Sequence, residues 1–263
     1  MVRAEPSSVD EVIAAARDAD IVILGEIHDN PAHHATQAAI VAALQPDALV
    51  FEMIPQATED AVNRLRAEDA PRAAIAEALE WETSGWPDFA LYAPILEAAP
   101  GARIFGGGQP IEEVRRAVSQ GAAVVFGPDA ATYGLNLPLA AEEQAAREAD
   151  MLASHCDAVP AEMLAGLVEA QRFRDAAMAD AARWARTIGG EGPVVVIAGS
   201  GHAHRLRGIP AKLAAADPML RVLSLGQLEA APDPAEREAF DVYLIAPPPE
   251  REDPCIAFRA RAE

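Results

Sequence analysis

The sequence contains only two cysteines, Cys156 and Cys255, among its 263 residues. Two thiols are too few for a disulfide framework or for a zinc site built from four thiolates, although they leave a single bridge open. The cysteine count therefore does not distinguish an oxidising from a reducing compartment.

Long apolar stretches are also missing. No segment approaches the roughly 18 uncharged apolar residues of a membrane span. The N-terminal sequence "MVRAEPSSVDE" has neither an apolar segment nor a cysteine, which predicts no secretory signal and no lipoprotein anchor. The sequence as given predicts a cytoplasmic protein. A protein whose leader had been removed would look the same, and it would be periplasmic or lipid-anchored.

Basic residues are scarce relative to acidic ones. Lys and Arg total 21, Asp and Glu total 41, and the formal net charge is −20. Such a charge repels nucleic-acid phosphates and anionic membrane surfaces over about a Debye length, roughly 8 Å in physiological salt. We therefore expect no nucleic-acid partner. A chain of 263 residues with 51% hydrophobic content is predicted to fold as one domain spanning residues 1–263.

Apolar segments typical of strands alternate with segments typical of helices. Strands are predicted at 21–24, 48–52, 102–105, 193–198, 220–225, 241–246 and 255–259, with a further apolar run at 122–126. Helices are predicted at 7–19, 31–44, 57–80, 88–98, 110–119, 140–153, 160–188 and 203–214. β-Branched strands joined by helices predict an α/β fold, with a mostly parallel central sheet flanked by helices and helical insertions.

Three of the predicted strands end in polar residues. The segment "IVILGEIH" supplies Glu26 and His28, "ALVFEM" supplies Glu52, and "VVVIAGSGHAH" supplies His202 and His204. In a parallel sheet these strand ends lie at the same edge, where ligand sites form. A single Glu or His at such a position is more often a helix cap or a solvated residue. The same pattern at three strand ends favours a shared site.

Carboxylates and imidazoles at one site suit two kinds of chemistry. Glu26, His28, Glu52 and His202 can together bind zinc, manganese or iron, or they can act as general bases and proton carriers in a hydrolase. His33 and His34, in the first turn of the helix predicted at 31–44, are further ligand candidates, with the alternative that at least one of them is simply solvated.

The helix predicted at 160–188 has two polar residues on its apolar face. Gln171 and Asp175 share a stripe with Leu164, Val168 and Met178. A buried carboxylate needs a charged or multiply donating partner. We expect both residues to lie buried below the polar residues at the strand ends, with Asp175 accepting a hydrogen bond from a site histidine or from Arg174. A structural bond to a loop backbone is the alternative.

Several segments, taken in order, resemble the ChaN-like haem-binding-uptake family of the Tiki, TraB and erythromycin-esterase superfamily. They are "GEIHDNPAHH", "FEMIP", "WETSGWPDFALYAPILEAA", "SHCDAVPAEML", "AQRFRDAAMADA" and "VVVIAGSGHAHRLRGIP". The resemblance covers about residues 8–225 and leaves 226–263 as C-terminal strands and a tail. It implies an α/β fold and haem binding in iron uptake, with haems held at a homodimer interface. Family members in haem uptake are commonly lipoproteins, whereas the N-terminal sequence predicts no anchor.

The resemblance also guides the choice of site residues. In the wider superfamily, the positions matching Glu26, His28, Glu52 and His202 form the active site of metal-dependent proteases or esterases. A haem carrier needs an iron ligand, an apolar slot and basic groups for the propionates. The candidate ligands are His28, His33, His34, His155 and His204. The candidate propionate partners are Arg174, Arg205 and Arg207, and the candidate walls are Trp81, Trp86, Phe89 and Tyr92. Haem binding is the favoured prediction, and a metal-dependent hydrolase is the alternative.

Overall fold

Six strands form one sheet at the centre of the protein, in a computed structural model that describes residues 6–190, 192–253 and 255–256. The strands are β1 (Ile21–Glu26), β2 (Ala48–Pro55), β3 (Arg103–Gly108), β4 (Val194–Gly199), β5 (Val222–Leu228) and β6 (Val242–Ile245). Their order across the sheet is β3-β2-β4-β1-β5-β6, and every neighbouring pair is parallel. The predicted α/β class with a parallel sheet is confirmed.

Helices connect the strands and cover both faces of the sheet. They are α1 (Val9–Ala16), α2 (Pro31–Leu44), α3 (Glu59–Ala67), α4 (Arg72–Ala78), α5 (Trp81–Ser84), α6 (Phe89–Ala98), α7 (Ile111–Gln120), α8 (Ala122–Phe126), α9 (Ala141–Ser154), α10 (Ala161–Ile188), α11 (Ser200–Ala203), α12 (Ile209–Ala216) and α13 (Pro234–Glu238). Two short 3₁₀ helices lie at Gln56–Thr58 and Pro128–Ala131. None of the helices within the described ranges is long and apolar enough to cross a membrane.

Alternate residues of the buried strands point into two cores. Ile23 and Val196 face the side covered by α10 and α12, while Leu24 and Ile197 face the side covered by α2 and α6. Because both faces are covered, the strands are apolar along their whole length, as expected for a parallel sheet. The site residues therefore emerge only where the strands end.

Local signals explain where several helices begin and end. The Ser8 hydroxyl accepts from the backbone N of Glu11, and the Glu11 carboxylate accepts from the backbone N of Ser8, which is a complete capping box at the start of α1. Asn30 caps α2, and Pro31 occupies its first turn. Asn30 therefore ends the loop that carries His28.

Some sequence predictions were wrong in detail. The helix predicted at 57–80 is divided among α3, α4 and α5, because Asp69 takes a positive φ of 52° and Pro71 precedes α4. The helix predicted at 203–214 is interrupted between α11 and α12. The strand predicted at 255–259 is also wrong where it can be compared, since Cys255 and Ile256 form part of a helical turn, and 257–259 lie outside the described residues.

The C-terminal segment after β6 crosses the end of the sheet. The carbonyl of Pro247 accepts from Asn30 Nδ2 at 3.1 Å, and Arg251 donates to Asp29 at 2.6 Å and to Glu229. Cys255 then forms a disulfide with Cys156, just beyond α9. The single bridge that the sequence allowed is thus formed, and it joins the C-terminal segment to the turn after α9.

Candidate functional site

The ends of three adjacent strands bring the predicted residues together. Glu26 is the last residue of β1, Glu52 lies in the second half of β2, and Gly199 ends β4 immediately before α11, which carries His202. Because β4 lies between β1 and β2, these side chains meet at the carboxyl edge of the sheet. The predicted convergence of Glu26, His28, Glu52 and His202 is therefore seen. We call these four residues, with Asp175 and Arg174, the strand-end cluster.

Glu26 and His28 form the first half of the strand-end cluster. His28 Nδ1 lies 2.8 Å from Glu26 Oε1, which also accepts from the Tyr92 hydroxyl at 2.9 Å. Burial disfavours the charged form of His28, but the hydrogen bond to Glu26 and the charge of Glu52 outweigh it and raise the pKa of His28. The His28 side chain is 32% exposed, whereas that of Glu26 is fully buried.

Glu52 is the centre of the second half. Its Oε1 accepts from Arg174 and lies 3.3 Å from His202 Nε2, while its Oε2 accepts from the backbone N of Gly199 at 2.7 Å. Burial alone would raise the pKa of Glu52, yet His202, Arg174 and His28 hold it well below its usual range. Glu52 is therefore an ionised carboxylate at neutral pH.

His202 joins Glu52 to the long helix α10. Its Nδ1 donates to Asp175 Oδ1 across 2.6 Å, and the amide nitrogen of Gln171 lies 3.1 Å from the same ring nitrogen. Burial would lower the pKa of His202, but Glu52 and Asp175 raise it to about 9. The expected contact between Asp175 and a site histidine is present, and His202 is held as an imidazolium between two carboxylates. Asp175 is buried as expected, but Gln171 is only partly buried, so that part of the prediction was wrong.

Glycine is required where the ring of His28 passes over β4. A Cβ on Gly199 would lie 2.9 Å from His28 Nε2. His28 Nε2 itself is 4.0 Å from Glu52 Oε2, and it makes no hydrogen bond within the described part of the chain. His28 thus has one ring nitrogen fixed by a hydrogen bond to Glu26 and one that makes no hydrogen bond within the described residues.

The remaining histidine candidates occupy different surroundings. His33 and His34 are both buried, so the alternative that one is solvated was wrong. His33 Nδ1 accepts from the backbone N of Ile27 at 3.0 Å, and His34 Nε2 donates to the carbonyl of His28 at 2.8 Å. These two rings therefore support the loop that carries His28.

His155 and His204 lie outside the strand-end cluster. His155 Nδ1 is 2.7 Å from the Met151 carbonyl at the end of α9. His204 Nδ1 accepts from the backbone N of Leu206 at 3.2 Å, and burial, together with Arg207 and Arg147, lowers the pKa of His204 to about 4.

Two of the three arginine candidates are paired elsewhere. Arg205 lies 3.8 Å from Asp241, and Arg207 donates to Asp150, whereas Arg174 belongs to the strand-end cluster.

An open cleft of about 470 Å³ lies beside the strand-end cluster. Glu52 and Arg174 form part of its wall, and Met53, Leu79 and Trp86 supply apolar surface. The ring centroids of Trp86 and His28 are 4.9 Å apart, so the tryptophan links the cleft to the exposed histidine. The other three aromatic candidates, Trp81, Phe89 and Tyr92, are buried core residues.

The expected metal site receives no geometric support. Within residues 6–190, 192–253 and 255–256, no group of three or more His, Cys, Asp or Glu side chains is arranged to hold a metal ion. The four predicted ligands are oriented towards one another, with hydrogen bonds and ion pairs between carboxylate and imidazole.

Comparison with known families gives a clear result. Residues 12–213 match the family described as "Haem-binding uptake, Tiki superfamily, ChaN". The chain belongs to the ChaN family. This result confirms the resemblance seen in the sequence, and the match ends before β5.

One solved structure supports the fold of this ChaN-family chain. The structure described as "Cofacial heme binding to ChaN of Campylobacter jejuni" superposes with a TM-score of 0.71 at 20% identity, covering 91% of this chain and 92% of that chain. A weaker likeness, with a TM-score of 0.48 at 15% identity, is to "The structure of the type III effector HopBA1", covering 93% and 97% of the two chains. No curated protein matches the chain.

Tyr92 has a contact that the sequence did not predict. The sequence suggests it only as a wall of a haem slot, yet its hydroxyl donates to Glu26. Burial and the charge of Glu26 raise the pKa of Tyr92 far above its ordinary value, which keeps the phenol protonated. The signal was a polar aromatic on the buried face of α6, but only the packing of α6 against α2 shows its partner.

Proposed function

We propose that this ChaN-family chain binds haem, with the Nε2 atom of His28 as the protein ligand to iron. The observation that carries the proposal is the environment of the His28 ring. Nδ1 is fixed by the Glu26 carboxylate, Nε2 makes no hydrogen bond within the described residues, and the side chain is 32% exposed. Histidines that bind metals commonly donate their second ring nitrogen to a carboxylate in this way.

The neighbouring groups suit the rest of a haem. The cleft of about 470 Å³ is within the usual range for small-molecule sites, and Trp86, Leu79 and Met53 offer apolar contacts to a porphyrin. Arg174 is 29% exposed and is the cation nearest to this surface that a propionate can meet. When bound, a haem would supply an iron centre able to accept a neutral imidazole nitrogen.

Each residue of the strand-end cluster has a defined part in this proposal. Glu26 and Tyr92 orient His28, because the His28 ring and the Tyr92 hydroxyl both bond to Glu26 Oε1. His34 holds the carbonyl of His28, which restrains the backbone of the loop. Glu52, His202 and Asp175 form a charged row below His28 that keeps Arg174 in position.

The hydrolase alternative has less support. A metal-dependent mechanism through Glu26, His28, Glu52 and His202 needs ligands that converge on an ion, whereas the carboxylates and imidazoles are paired with each other. His202 also bridges Glu52 and Asp175, so both of its ring nitrogens already face carboxylates. We therefore keep haem binding as the proposed function.

The disulfide supports a location outside the cytoplasm. Cystines persist in oxidising compartments and are rare where glutathione keeps thiols reduced. Of the two alternatives that the sequence left open, the Cys156–Cys255 bridge thus favours a periplasmic or lipid-anchored protein over a cytoplasmic one. Homodimer formation around haem, which the family resemblance implies, is also part of the proposal.

Titration of the purified protein with haemin tests the proposed function. We expect saturable binding with a Soret band distinct from that of free haemin, and size-exclusion chromatography of the saturated sample reports whether a dimer forms. Elemental analysis of the protein as isolated, run in parallel, tests the metal alternative. If saturating haemin leaves only the free spectrum while zinc, manganese or iron co-purifies in stoichiometric amount, the haem proposal is wrong.

A further inference from the structure

The segment after β6 runs across the carboxyl edge of the sheet and meets the loop that carries His28. We call residues 246–253 the strap. The backbone N of Ala246 donates to the Leu228 carbonyl at 2.9 Å, directly after the last residues that pair β5 with β6. The strap therefore approaches the His28 loop from the β5 side, whereas the cleft lies on the side of β2 and β3.

Asn30 is the first residue of that loop bonded to the strap. Its Nδ2 donates to the Pro247 carbonyl at 3.1 Å and to Glu229 Oε1 at 2.9 Å. Its Oδ1 accepts from the backbone N of Ala32 at 3.0 Å. One side chain thus joins the strap, the end of β5 and the first turn of α2.

Arg251 makes the second connection between the strap and the loop. It donates to Asp29 at 2.6 Å and also to Glu229. Asp29 directly follows His28 in the chain, so this ion pair restrains the backbone that places the His28 ring. Ion pairs near a surface are weak by themselves, and Arg251 holds the loop well only while the strap itself is held in place.

The far end of the strap is anchored by the disulfide. No residue from 247 to 253 is buried, so the strap gains little stability from hydrophobic contacts. Cys255, two residues beyond the strap, is bonded to Cys156 in the turn after α9. The bridge therefore converts a segment attached at β6 alone into one attached at both ends. Both cysteines are partly exposed, which makes the bridge accessible to a reductant.

We propose that the Cys156–Cys255 bridge is a redox switch of the haem site, an inference that rests on the proposed function. When the bridge is reduced, the strap is attached only at β6. The contact of Arg251 with Asp29 then weakens, the loop that carries His28 becomes more mobile, and haem is bound less tightly.

The reductant is a dithiol, either a small molecule or a reduced dithiol protein. One of its thiolates attacks a sulfur of the bridge, forms a mixed disulfide and releases the other cysteine. Its second thiol then attacks the mixed disulfide and releases the remaining cysteine. The dithiol ends as a disulfide, while Cys156 and Cys255 together gain two electrons and two protons.

Hydrogen–deuterium exchange of the haem-free protein tests whether the bridge controls the loop. The backbone N of Asn30 donates to the Ile27 carbonyl, and that of Ala32 donates to Asn30 Oδ1, so both amides report on the loop. We expect reduction by dithiothreitol to raise their exchange rates by about 10-fold or more. The amides of β4, in the middle of the sheet, should exchange equally slowly in both states and show that the protein stays folded.

Haemin titration tests whether the loop controls binding. The bridge is reduced, the thiols are blocked with iodoacetamide and the reductant is removed, because free thiolates ligate haem iron. We expect the blocked protein to bind haemin about 10-fold more weakly than the oxidised protein does. The double variant Cys156→Ser, Cys255→Ser should bind as the blocked protein does and should not respond to the treatment.

Arg251→Gln separates the restraint on the loop from the bridge itself. This variant keeps the disulfide, so we expect faster exchange at Asn30 and weaker haemin binding in the oxidised state, with little further change on reduction. Arg72→Gln is the matched control, since Arg72 also pairs with a surface carboxylate, that of Glu97, but does so away from the strap. Melting temperatures show that both variants are folded.

Three results would each overturn the switch. They are unchanged exchange at Asn30 and Ala32 after reduction, equal haemin affinity of the oxidised and blocked proteins, and wild-type behaviour of Arg251→Gln in both measurements. If the oxidised wild type binds no haemin, the proposed function is wrong and the switch of haem binding fails with it. Faster exchange at Asn30 after reduction would then still show that the bridge controls the loop.

Discussion

Nδ1 of His202 and Oδ1 of Asp175 are 2.6 Å apart, across the junction between β4 and α10. The contact connects a strand end to the middle of the longest helix, and it leaves His202 Nε2 facing Glu52. A row of alternating charges, carboxylate, imidazolium and carboxylate, therefore lies beneath the exposed His28. The electrostatics of this row give a pH-dependent stability.

The first prediction concerns stability between pH 6.5 and 8. The pKa of His202 is raised from 6.5 to about 9, so its stabilising effect is complete below pH 6.5 and is lost as the pH rises through 9. The full effect is on the order of 3 kcal/mol, and the part lost by pH 8 is about 1 to 2 kcal/mol. We expect the melting temperature of the wild type to fall by about 4 °C across this range because of His202.

Asp175→Asn is the variant that isolates this effect. Because Asp175 is one of two carboxylates that raise the pKa of His202, its loss should make the melting temperature less dependent on pH between 6.5 and 8. Above pH 8 the lowered pKa of Lys212 acts in the opposite direction, so the comparison stops there. If the melting temperature changed equally with pH in the wild type and in the variant, Asp175 would not stabilise the imidazolium of His202.

The second prediction concerns ligand affinity in the same Asp175→Asn variant. If the charged row positions the haem site, the affinity for haemin should fall by about 10-fold or more while the protein stays folded. Asp180→Asn is the control, since Asp180 lies on the same helix but accepts from Tyr133. An affinity equal to that of the wild type would assign Asp175 a purely structural part.

The third prediction concerns the iron ligand. His28→Ala should abolish the shifted Soret band and lower haemin affinity by about 10- to 100-fold. His155→Ala serves as the control, because that ring is bonded to a carbonyl at the end of α9. Absorbance titration and electron paramagnetic resonance of the ferric complexes measure the change. If His28→Ala kept the wild-type spectrum and His155→Ala lost it, His155 and not His28 would be the iron ligand.

The fourth prediction separates charge from shape at Arg174. Arg174→Gln removes the cation that pairs with Glu52, so we expect lower stability and about 10-fold weaker haemin binding. Arg174→Lys keeps the charge and should retain more of both. Chemical denaturation and haemin titration of the two variants provide the comparison. Equal affinities for Gln and Lys would argue that no propionate meets this position.

The fifth prediction concerns the Cys156–Cys255 bridge. Cys255→Ser should lower the free energy of unfolding by about 2 to 5 kcal/mol, as expected for a bridge that closes a loop of 99 residues. Cys156→Ser should have a similar effect, and the double variant should be no worse than either. Thiol titration of the native wild type without reductant should find no reactive thiol on these cysteines. Two titratable thiols would contradict the bridge.

The strand ends could be predicted from the sequence because two local signals agree there. Apolar, β-branched runs define a parallel sheet, and the polar residues that follow must then share one edge. These two signals alone predict that Glu26, Glu52 and His202 lie at this edge of the sheet. Asp175 could also be predicted, since a carboxylate on an apolar helical stripe requires a buried partner.

The remaining contacts depend on segments far apart in the chain. Tyr92 reaches Glu26, 66 residues away in the chain, because α6 packs against α2. The partner of Cys156 depends on the path of the tail, and no periodicity describes that path. The division of the predicted helix at 203–214 follows from tertiary placement of α11 under β4 and of α12 against α10. Local patterns do not contain this information.

The disulfide makes residues 156–255 a covalent ring, with the N-terminal part of the chain attached at one end. A single proteolytic cut within this ring therefore releases no fragment, because the two pieces remain joined through sulfur. Such a nicked protein would migrate as intact on a gel without reductant and would separate into two bands with it. Cuts before residue 156 give fragments that separate under denaturing conditions even without reductant, so paired gels locate each nick on one side of Cys156 or the other.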